Sequence, residues 1–150
     1  MAEHSRHGRF EGRVHKLPIR IYYEDTDLSG VVYHANYLRF MERGRSEFFR
    51  EAGITRLAML DDVEPTAWTL RKASVEYLRP ARVDDLIEVH TTLTGLSGAR
   101  MSARQLIYLG ETLLTRGEVE ACIITLSGKP RRIPEESRKI LEPFLLETSA

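Results

Sequence analysis

The side chains that could do chemistry are concentrated in residues 22–37, which read YYEDTDLSGVVYHANY. Three carboxylates, Glu24, Asp25 and Asp27, are followed by a glycine-containing turn and then by His34. A carboxylate can act as a general base or a nucleophile, and a helix N-terminus can stabilise negative charge. The segment is therefore typical of a hydrolytic site, although a solvated acidic turn would have a similar composition.

A long amphipathic helix is predicted directly after this segment. Asn36 can cap it, because its side-chain oxygen can accept a hydrogen bond from a free backbone N–H. Apolar positions then recur on one helical face at Tyr37, Phe40, Met41, Gly44 and Phe48. Gly44 costs about 1 kcal/mol of helix propensity, which close packing against a sheet would explain. Gly53 is a natural end for the helix.

The remainder of the chain has the pattern of strands. A first strand is expected over residues 15–24, with Pro18 limiting it to an edge or an irregularity. Four further strand-like segments cover residues 66–77, 86–94, 100–109 and 112–126. Residues 134–146 could form a terminal helix. This order predicts an α+β fold in which an antiparallel five-stranded sheet wraps around one central helix.

Composition places the chain among ordinary globular proteins. It has 150 residues, of which 42% are hydrophobic and 29% charged, which fits one domain with a real core. Lys plus Arg and Asp plus Glu both number 22, so no global charge favours nucleic acid. We expect residues 1–14 to form a flexible N-terminal tail and residues 15–150 a single domain.

Cysteine and histidine usage argues against disulfides and metals. The single cysteine, Cys122, excludes an internal disulfide and fits a reducing compartment, so we expect a cytoplasmic protein. No apolar stretch approaches the roughly 20 residues that span a bilayer. His4, His7 and His15 have no distinctive metal-ligand spacing, and we expect no metal site.

Two blocks of residues together form a specific pattern. The first block consists of Tyr23, Asp25-Thr26-Asp27, Gly30, Val31-Val32-Tyr33-His34, Asn36-Tyr37 and Glu42-Arg43. The second consists of Leu70-Arg71-Lys72, Val75-Glu76-Tyr77, Pro80-Ala81-Arg82 and Asp84-Asp85. With the order of elements, they resemble the 4-hydroxybenzoyl-CoA thioesterase-like family, which has the hotdog fold, and most closely its YbgC-type branch. The likeness covers about residues 18–134.

The resemblance implies an acyl-CoA thioesterase that uses no cofactor beyond the CoA of its substrate. It implies that Asp27 is catalytic and that Tyr23 and His34 belong to the site. It further implies a homodimer or homotetramer with active sites at subunit interfaces. Members of the YbgC-type branch are encoded alongside Tol-Pal envelope proteins.

Thioester hydrolysis assigns a role to each residue of the segment. Asp27 could act as general base for water or attack the carbonyl to give a mixed anhydride, and the sequence does not choose between them. His34 could hydrogen-bond Asp27, orient water or polarise the carbonyl, or simply close the turn before the helix. In a strand Asp25 would share a face with Asp27, but it is better suited to orienting the turn. Tyr33 is expected to form a wall, and Glu24 to be solvated.

The oxyanion and the CoA phosphates need further groups. The resemblance places the oxyanion donors on the backbone near Thr66, Ala67 and Trp68, contributed by the neighbouring subunit. Trp68 could also line the acyl pocket, or be core. The best candidates for the phosphates are a dense basic cluster after the last strand, Lys129, Arg131 and Arg132. Arg100 and Arg104, on one face of their strand, are the second possibility.

Two other functions compete with hydrolysis. The first is an acyl-thioester-binding scaffold that meets acyl carrier protein and has secondary or no hydrolytic activity. The second is a hotdog hydratase or dehydratase. Those enzymes typically carry an Asp or Glu with a His on the helix, whereas this chain has its Asp-Thr-Asp before the helix. Hydrolysis is therefore the preferred interpretation.

Overall fold

The structure is a computed structural model that describes residues 7–54, 58–59 and 62–146. The elements in chain order are β1 (Arg9–Glu11), β2 (Val14–Arg20), α1 (Asn36–Ala52), β3 (Ala58–Met59), β4 (Thr66–Tyr77), β5 (Leu86–Leu96), β6 (Arg100–Leu109), β7 (Thr112–Thr125), β8 (Pro130–Arg131) and α2 (Glu135–Leu141). Short 3-10 turns lie at Tyr23–Asp25 and Glu142–Phe144. The predicted terminal helix is thus shorter than expected and ends in one of these turns.

The strands form one antiparallel sheet in the order β1-β2-β5-β6-β7-β4-β3, with β8 beside β7. The α+β class and the wrapped antiparallel sheet are confirmed, and the five predicted strands are β2, β4, β5, β6 and β7. Within the described residues the sheet nevertheless has eight strands. The three additional strands, β1, β3 and β8, contain only two or three residues each, which is too short to give a periodic signal.

Helix α1 packs against the inner face of this sheet. All five residues of its predicted apolar face are buried. Gly44 is a point of close approach: a Cβ built there would lie 2.8 Å from Val89 Cγ1 on β5. Gly53 ends the helix with a φ of 117°, a left-handed conformation that glycine adopts without steric cost. The predicted core face and helix end are therefore confirmed.

The first strand ends earlier than predicted. Strand β2 stops at Arg20, and the chain then turns into the Tyr23–Asp25 3-10 turn instead of extending to Glu24. The backbone N–H of Ile21 donates to Asp85 O at 2.8 Å, outside the ladder between β2 and β5. The carboxylates consequently lie in a turn, so the strand argument that put Asp25 and Asp27 on one face does not apply.

Strand pairing begins before residue 15. Strand β1 pairs with β2, and the Phe10 ring lies 5.0 Å from the Phe48 ring and 4.5 Å from the Phe144 ring. This part of the predicted tail therefore closes the end of the core, while residues 1–6 lie outside the described residues.

His15 is fully buried beneath β1, and its Nε2 lies 3.0 Å from His7 O, whereas His4 is outside the described residues. In the described part of the chain no cluster of His, Cys, Asp or Glu could hold a metal ion. Neither described helix is long and apolar enough to cross a bilayer.

Candidate active site

Asp27 lies in a tight turn between the 3-10 turn and α1. Its Oδ1 accepts hydrogen bonds from the Ser29 backbone N–H at 2.8 Å and from the Ser29 hydroxyl. The turn is closed because the Gly30 N–H donates to Asp27 O and the Asp27 N–H donates to Val31 O, both at 3.0 Å. Gly30 has a φ of 84°, which a residue with a side chain rarely adopts. Asp27 is therefore an exposed carboxylate on a firmly held backbone.

The pKa of Asp27 lies below its ordinary value. The principal causes are the hydrogen bonds from the Ser29 hydroxyl and the Ser29 N–H, which stabilise the ionised form, with a smaller contribution from the charge of His34. The carboxylate is consequently ionised at neutral pH.

Asp25 connects this turn to the start of α1. Its Oδ2 accepts from the Tyr22 N–H at 2.8 Å, while its backbone oxygen accepts from the Tyr33 N–H at 3.0 Å and from Asn36 Nδ2 at 2.9 Å. This agrees with an orienting role for Asp25. Asn36 was expected to be the helix cap, but the cap position is Ala35 and the Asn36 side chain ties the helix to the turn instead.

His34 precedes the helix and is exposed. Its ring centroid is 4.5 Å from that of Tyr33, and its backbone oxygen accepts from the Tyr77 hydroxyl at 3.0 Å. Among the described residues it makes no hydrogen bond with Asp27. His34 and Tyr77 line a cavity of about 230 Å³ together with Val32, Tyr37 and Leu78–Pro80.

The start of α1 leaves backbone donors unused. Within residues 7–54, 58–59 and 62–146, neither His34 nor Ala35 donates its backbone N–H to an acceptor. The next N–H groups are occupied, because Asn36 donates to Tyr33 O at 2.9 Å. Free donors at a helix N-terminus stabilise negative charge. In the sequence, these donors were indicated by the helix predicted directly after the carboxylates.

Tyr23 is located in the 3-10 turn and is 84% exposed, so within one chain it does not close over Asp27. Its backbone oxygen accepts from the Thr26 hydroxyl at 2.8 Å. Leu28, between Asp27 and Ser29, is also fully exposed. Large apolar side chains thus surround the carboxylate turn without being covered by this chain.

Ala67 and Trp68 lie at a second cavity of about 460 Å³ between α1 and β4. The other lining residues are Glu42, Arg45, Ser46, Phe49, Thr69, Leu70, Met101 and Ala121. Thr66 pairs with Thr125 at the start of β4. Asp27 does not line this cavity, so one chain does not bring Asp27 together with the predicted oxyanion segment at Thr66, Ala67 and Trp68.

The predicted phosphate-binding cluster is partly neutralised. Arg131 forms a two-pronged ion pair with Glu64, with Nε–Oε1 and Nη2–Oε2 distances of 2.7 Å. This pairing lowers the pKa of Glu64 and raises that of Arg131. The Lys129 N–H donates to Thr125 Oγ1 at 3.1 Å, and Arg132 lies beside Gly98.

The alternative cations on β6 also have acidic neighbours. Arg100 faces Glu120 and Arg104 faces Glu118, each at 3.9 Å. The contacts therefore do not single out either group as the phosphate site.

The helix inside a wrapped antiparallel sheet, with a carboxylate turn at the helix start, defines a hotdog protein. Residues 29–115 match the family model of the Thioesterase superfamily. The chain belongs to this superfamily and is a thioesterase.

Its relatives and structural neighbours support this family assignment. The chain is 43% identical to the acyl-CoA thioester hydrolase YbgC of Escherichia coli O6:H1, over 80% of this chain and 90% of that protein. It is 36% identical to the acyl-CoA thioesterase YbgC of Haemophilus influenzae, over 80% and 88% of the two chains. A crystal structure of a probable thioesterase from Bartonella henselae superposes with a TM-score of 0.77 at 43% identity, covering 81% of this chain and 98% of that one.

Several contacts of the site were not predicted in the sequence analysis. Ser29 was read only as part of a turn, although its hydroxyl and N–H both bind Asp27. Tyr77 belonged to a strand more than 40 residues away, yet its hydroxyl reaches His34. The Tyr37 hydroxyl accepts from the Ala81 N–H at 3.0 Å. These contacts join distant segments, so spacing along the chain could not reveal them.

Proposed function

We propose that this protein hydrolyses acyl-CoA thioesters to a free carboxylic acid and CoA, with Asp27 as the reacting carboxylate. The observation that carries the proposal is that the exposed Asp27, whose pKa is lowered, and the His34 and Ala35 N–H groups, which have no acceptor in the described chain, belong to one short segment at the start of α1. The carboxylate supplies the attacking or proton-accepting group, and the N–H groups supply donors for the developing oxyanion. The YbgC relatives, named as acyl-CoA thioesterases, support CoA as the carrier.

Asp27 can act in two ways. As a nucleophile, its oxygen attacks the thioester carbonyl, CoA leaves as the thiolate, and water hydrolyses the mixed anhydride. As a general base, it takes a proton from water while the water oxygen attacks. The hydrogen bonds from Ser29 lower the pKa of Asp27 and weaken it both as a base and as a nucleophile, so they do not choose between the two routes. Mass spectrometry of acid-quenched enzyme during turnover distinguishes them, because only the nucleophilic route adds the acyl mass to Asp27.

The N–H groups of His34 and Ala35 are the donors that we assign to the oxyanion. They belong to the same chain as Asp27, and the intervening turn is held by Asp25 and Asn36. The segment at Thr66–Trp68 has another role in this proposal, because Ala67 and Trp68 line the larger cavity. That cavity is mostly bounded by apolar side chains, and we assign it to the acyl group.

The active form is proposed to be a homodimer, or a homotetramer built from such dimers. Strand β4 pairs with β7 along one edge, while on its other edge β3 pairs only with Thr66 and Ala67. In the described chain the rest of that edge has no strand beside it. Exposed Leu70 and Tyr77 lie on this strand. A second copy pairing along β4 would cover the edge, and place the acyl cavity of one subunit beside the carboxylate turn of the other.

Thiol release from a panel of acyl-CoAs tests the assignment of Asp27. Asp27→Asn keeps the size of the side chain and removes its charge, and we expect a loss of at least about 100-fold in kcat. Glu24→Gln is the matched control, because Glu24 is an exposed carboxylate in the preceding 3-10 turn and its side chain accepts no hydrogen bond among the described contacts. Full activity of Asp27→Asn would refute the assignment.

Sedimentation that found only monomers in active enzyme would refute the inter-subunit site.

The second candidate is an acyl-thioester-binding scaffold that meets acyl carrier protein. It is favoured by the exposed apolar side chains around the turn, including Tyr22, Tyr23 and Leu28, which could contact a protein carrier. Binding of acylated carrier protein without thiol release from any thioester would support it. For either function we place the protein in the cytoplasm, in line with its single cysteine.

A further inference from the structure

Beneath the middle of α1 lies a polar cluster that the reaction at Asp27 does not use. Gln105, on the inner face of β6, is completely buried. Its Nε2 donates to Met41 O at 2.8 Å and to Thr91 Oγ1 at 2.9 Å. Its Oε1 accepts from Arg45 Nη1 at 2.9 Å. Gln105 thus uses both ends of its amide and holds the Arg45 guanidinium in one place.

Arg45 is a cation with no ion-pair partner among the residues that the structure describes. Burial lowers its pKa, and the charge of Glu42 only partly opposes that effect. Among the described residues no carboxylate lies within ion-pair distance of Arg45, and Gln105 is its one side-chain acceptor. A guanidinium has five N–H donors, and a partly buried charge is stabilised by hydrogen bonds to acceptors. Arg45 is half-buried, so the donors that Gln105 does not bind are available to a ligand acceptor in the cavity that Arg45 lines.

The Arg45 guanidinium lies at the cavity that we assign to the acyl group. Arg45 lines the cavity of about 460 Å³, whose apolar walls include Phe49, Trp68 and Met101. Glu42 and Ser46 are the other polar residues that α1 contributes to it. Arg45 is half-buried and its Nη1 is bound to the fully buried Gln105, so the guanidinium lies on the inner side of the cavity. A group bound beside it is therefore the end of the acyl chain that reaches furthest into the cavity.

We propose that Arg45 is a specificity residue that selects acyl groups carrying an acceptor oxygen at their distal end. The inference rests on the proposed function, because it assumes that the cavity receives the acyl group. A hydroxyl or ketone oxygen would accept from the guanidinium, and a hydroxyl could also donate to Glu42. A distal carboxylate is disfavoured, because Glu42 in the same cavity would repel it. A plain alkyl chain would leave the charged donors desolvated and unpaired.

The test compares acyl-CoAs of equal chain length whose distal carbon is alkyl, hydroxylated, oxidised to a ketone or carboxylated. For the wild-type protein we expect kcat/KM for the hydroxylated or keto substrate to exceed that for the alkyl substrate by about 10- to 100-fold. Arg45→Met keeps the length of the side chain, and should bring this ratio close to one. Arg50→Met is the matched control, because Arg50 is an exposed arginine of α1 paired with Glu47 outside the cavity. It should leave the ratio unchanged.

If Arg45→Met does not fold, the ratio of kcat/KM for the hydroxylated or keto substrate to kcat/KM for the alkyl substrate, measured on the wild-type protein, still tests the role of Arg45. Equal or faster hydrolysis of the alkyl substrate by wild-type protein, at every chain length, would overturn the role of Arg45 while leaving the proposed thioesterase intact. If a folded Arg45→Met protein kept the wild-type ratio, the role of Arg45 would also be overturned, and the proposed thioesterase would again be unaffected. Absence of thiol release from all four acyl-CoAs would instead contradict the proposed function itself.

Discussion

The close packing of Gly44 of α1 against the sheet makes Gly44→Ala a sharp test of the packing. A Cβ at position 44 would lie 2.8 Å from Val89 Cγ1, 3.0 Å from Thr91 Oγ1 and 3.1 Å from Gln105 Nε2. None of these neighbouring atoms can easily move away from an added Cβ. Valine has a stiff χ1, and Gln105 Nε2 is held by two hydrogen bonds. The helix itself must therefore move outward by several tenths of an ångström.

Two opposing effects set the size of the change. Alanine in place of glycine gains about 1 kcal/mol of helix propensity. Overpacking a close-packed interface costs about 1–3 kcal/mol, and weakening a bond of Gln105 adds about 1 kcal/mol. We expect the free energy of unfolding to fall by about 1–3 kcal/mol. For a domain of this size that corresponds to a decrease in Tm of roughly 2–12 °C.

Urea and thermal denaturation measure the change directly. Gly95→Ala is the matched control, because a Cβ at position 95 would lie 3.5 Å from Ser102 Cβ, an ordinary contact. The control protein should be as stable as the wild type or slightly more stable. Stabilisation of Gly44→Ala by about 1 kcal/mol would show that helix propensity outweighs the contact, and would refute the close packing of Gly44 against β5 and β6.

Three further predictions follow from single contacts. Ser29→Ala removes the principal cause of the lowered pKa of Asp27, so this pKa should rise and the acid limb of the kcat/KM profile should move to higher pH; an unmoved limb would contradict the role of the hydroxyl. Tyr37→Phe leaves the Ala81 N–H without its acceptor, and should lower the free energy of unfolding by about 1–3 kcal/mol in urea titrations; no change would argue against a buried bond. Burial lowers the pKa of His15, so the unfolded chain binds its proton more readily than the folded chain. Stability should therefore fall as the pH drops through about 6.5, and His15→Gln should weaken this dependence; an equal slope in both proteins would exclude His15 as its source.

The main elements were predictable because their signals are local. The apolar face from Tyr37 to Phe48 follows helical spacing, and all of it is buried. Strands β4 and β6 match the predicted ranges at both ends, because alternation and turn residues bound them on each side. The end of β2 was predicted wrongly, because the 3-10 turn depends on Asp25 accepting from the Tyr22 N–H, a contact that periodicity does not register.

The sequence by itself determined the fold class, the central helix and the segment that carries the clustered carboxylates, because these depend on residue types at short and regular spacing. Only the tertiary structure decided which groups surround them. It placed the Ser29 hydroxyl on Asp27, the Tyr77 hydroxyl on His34 and Gln105 on Arg45. It also separated Asp27 from the cavity at Trp68. Hydrogen bonds and burial depend on how distant segments pack in three dimensions, and a pattern along the chain does not contain that information.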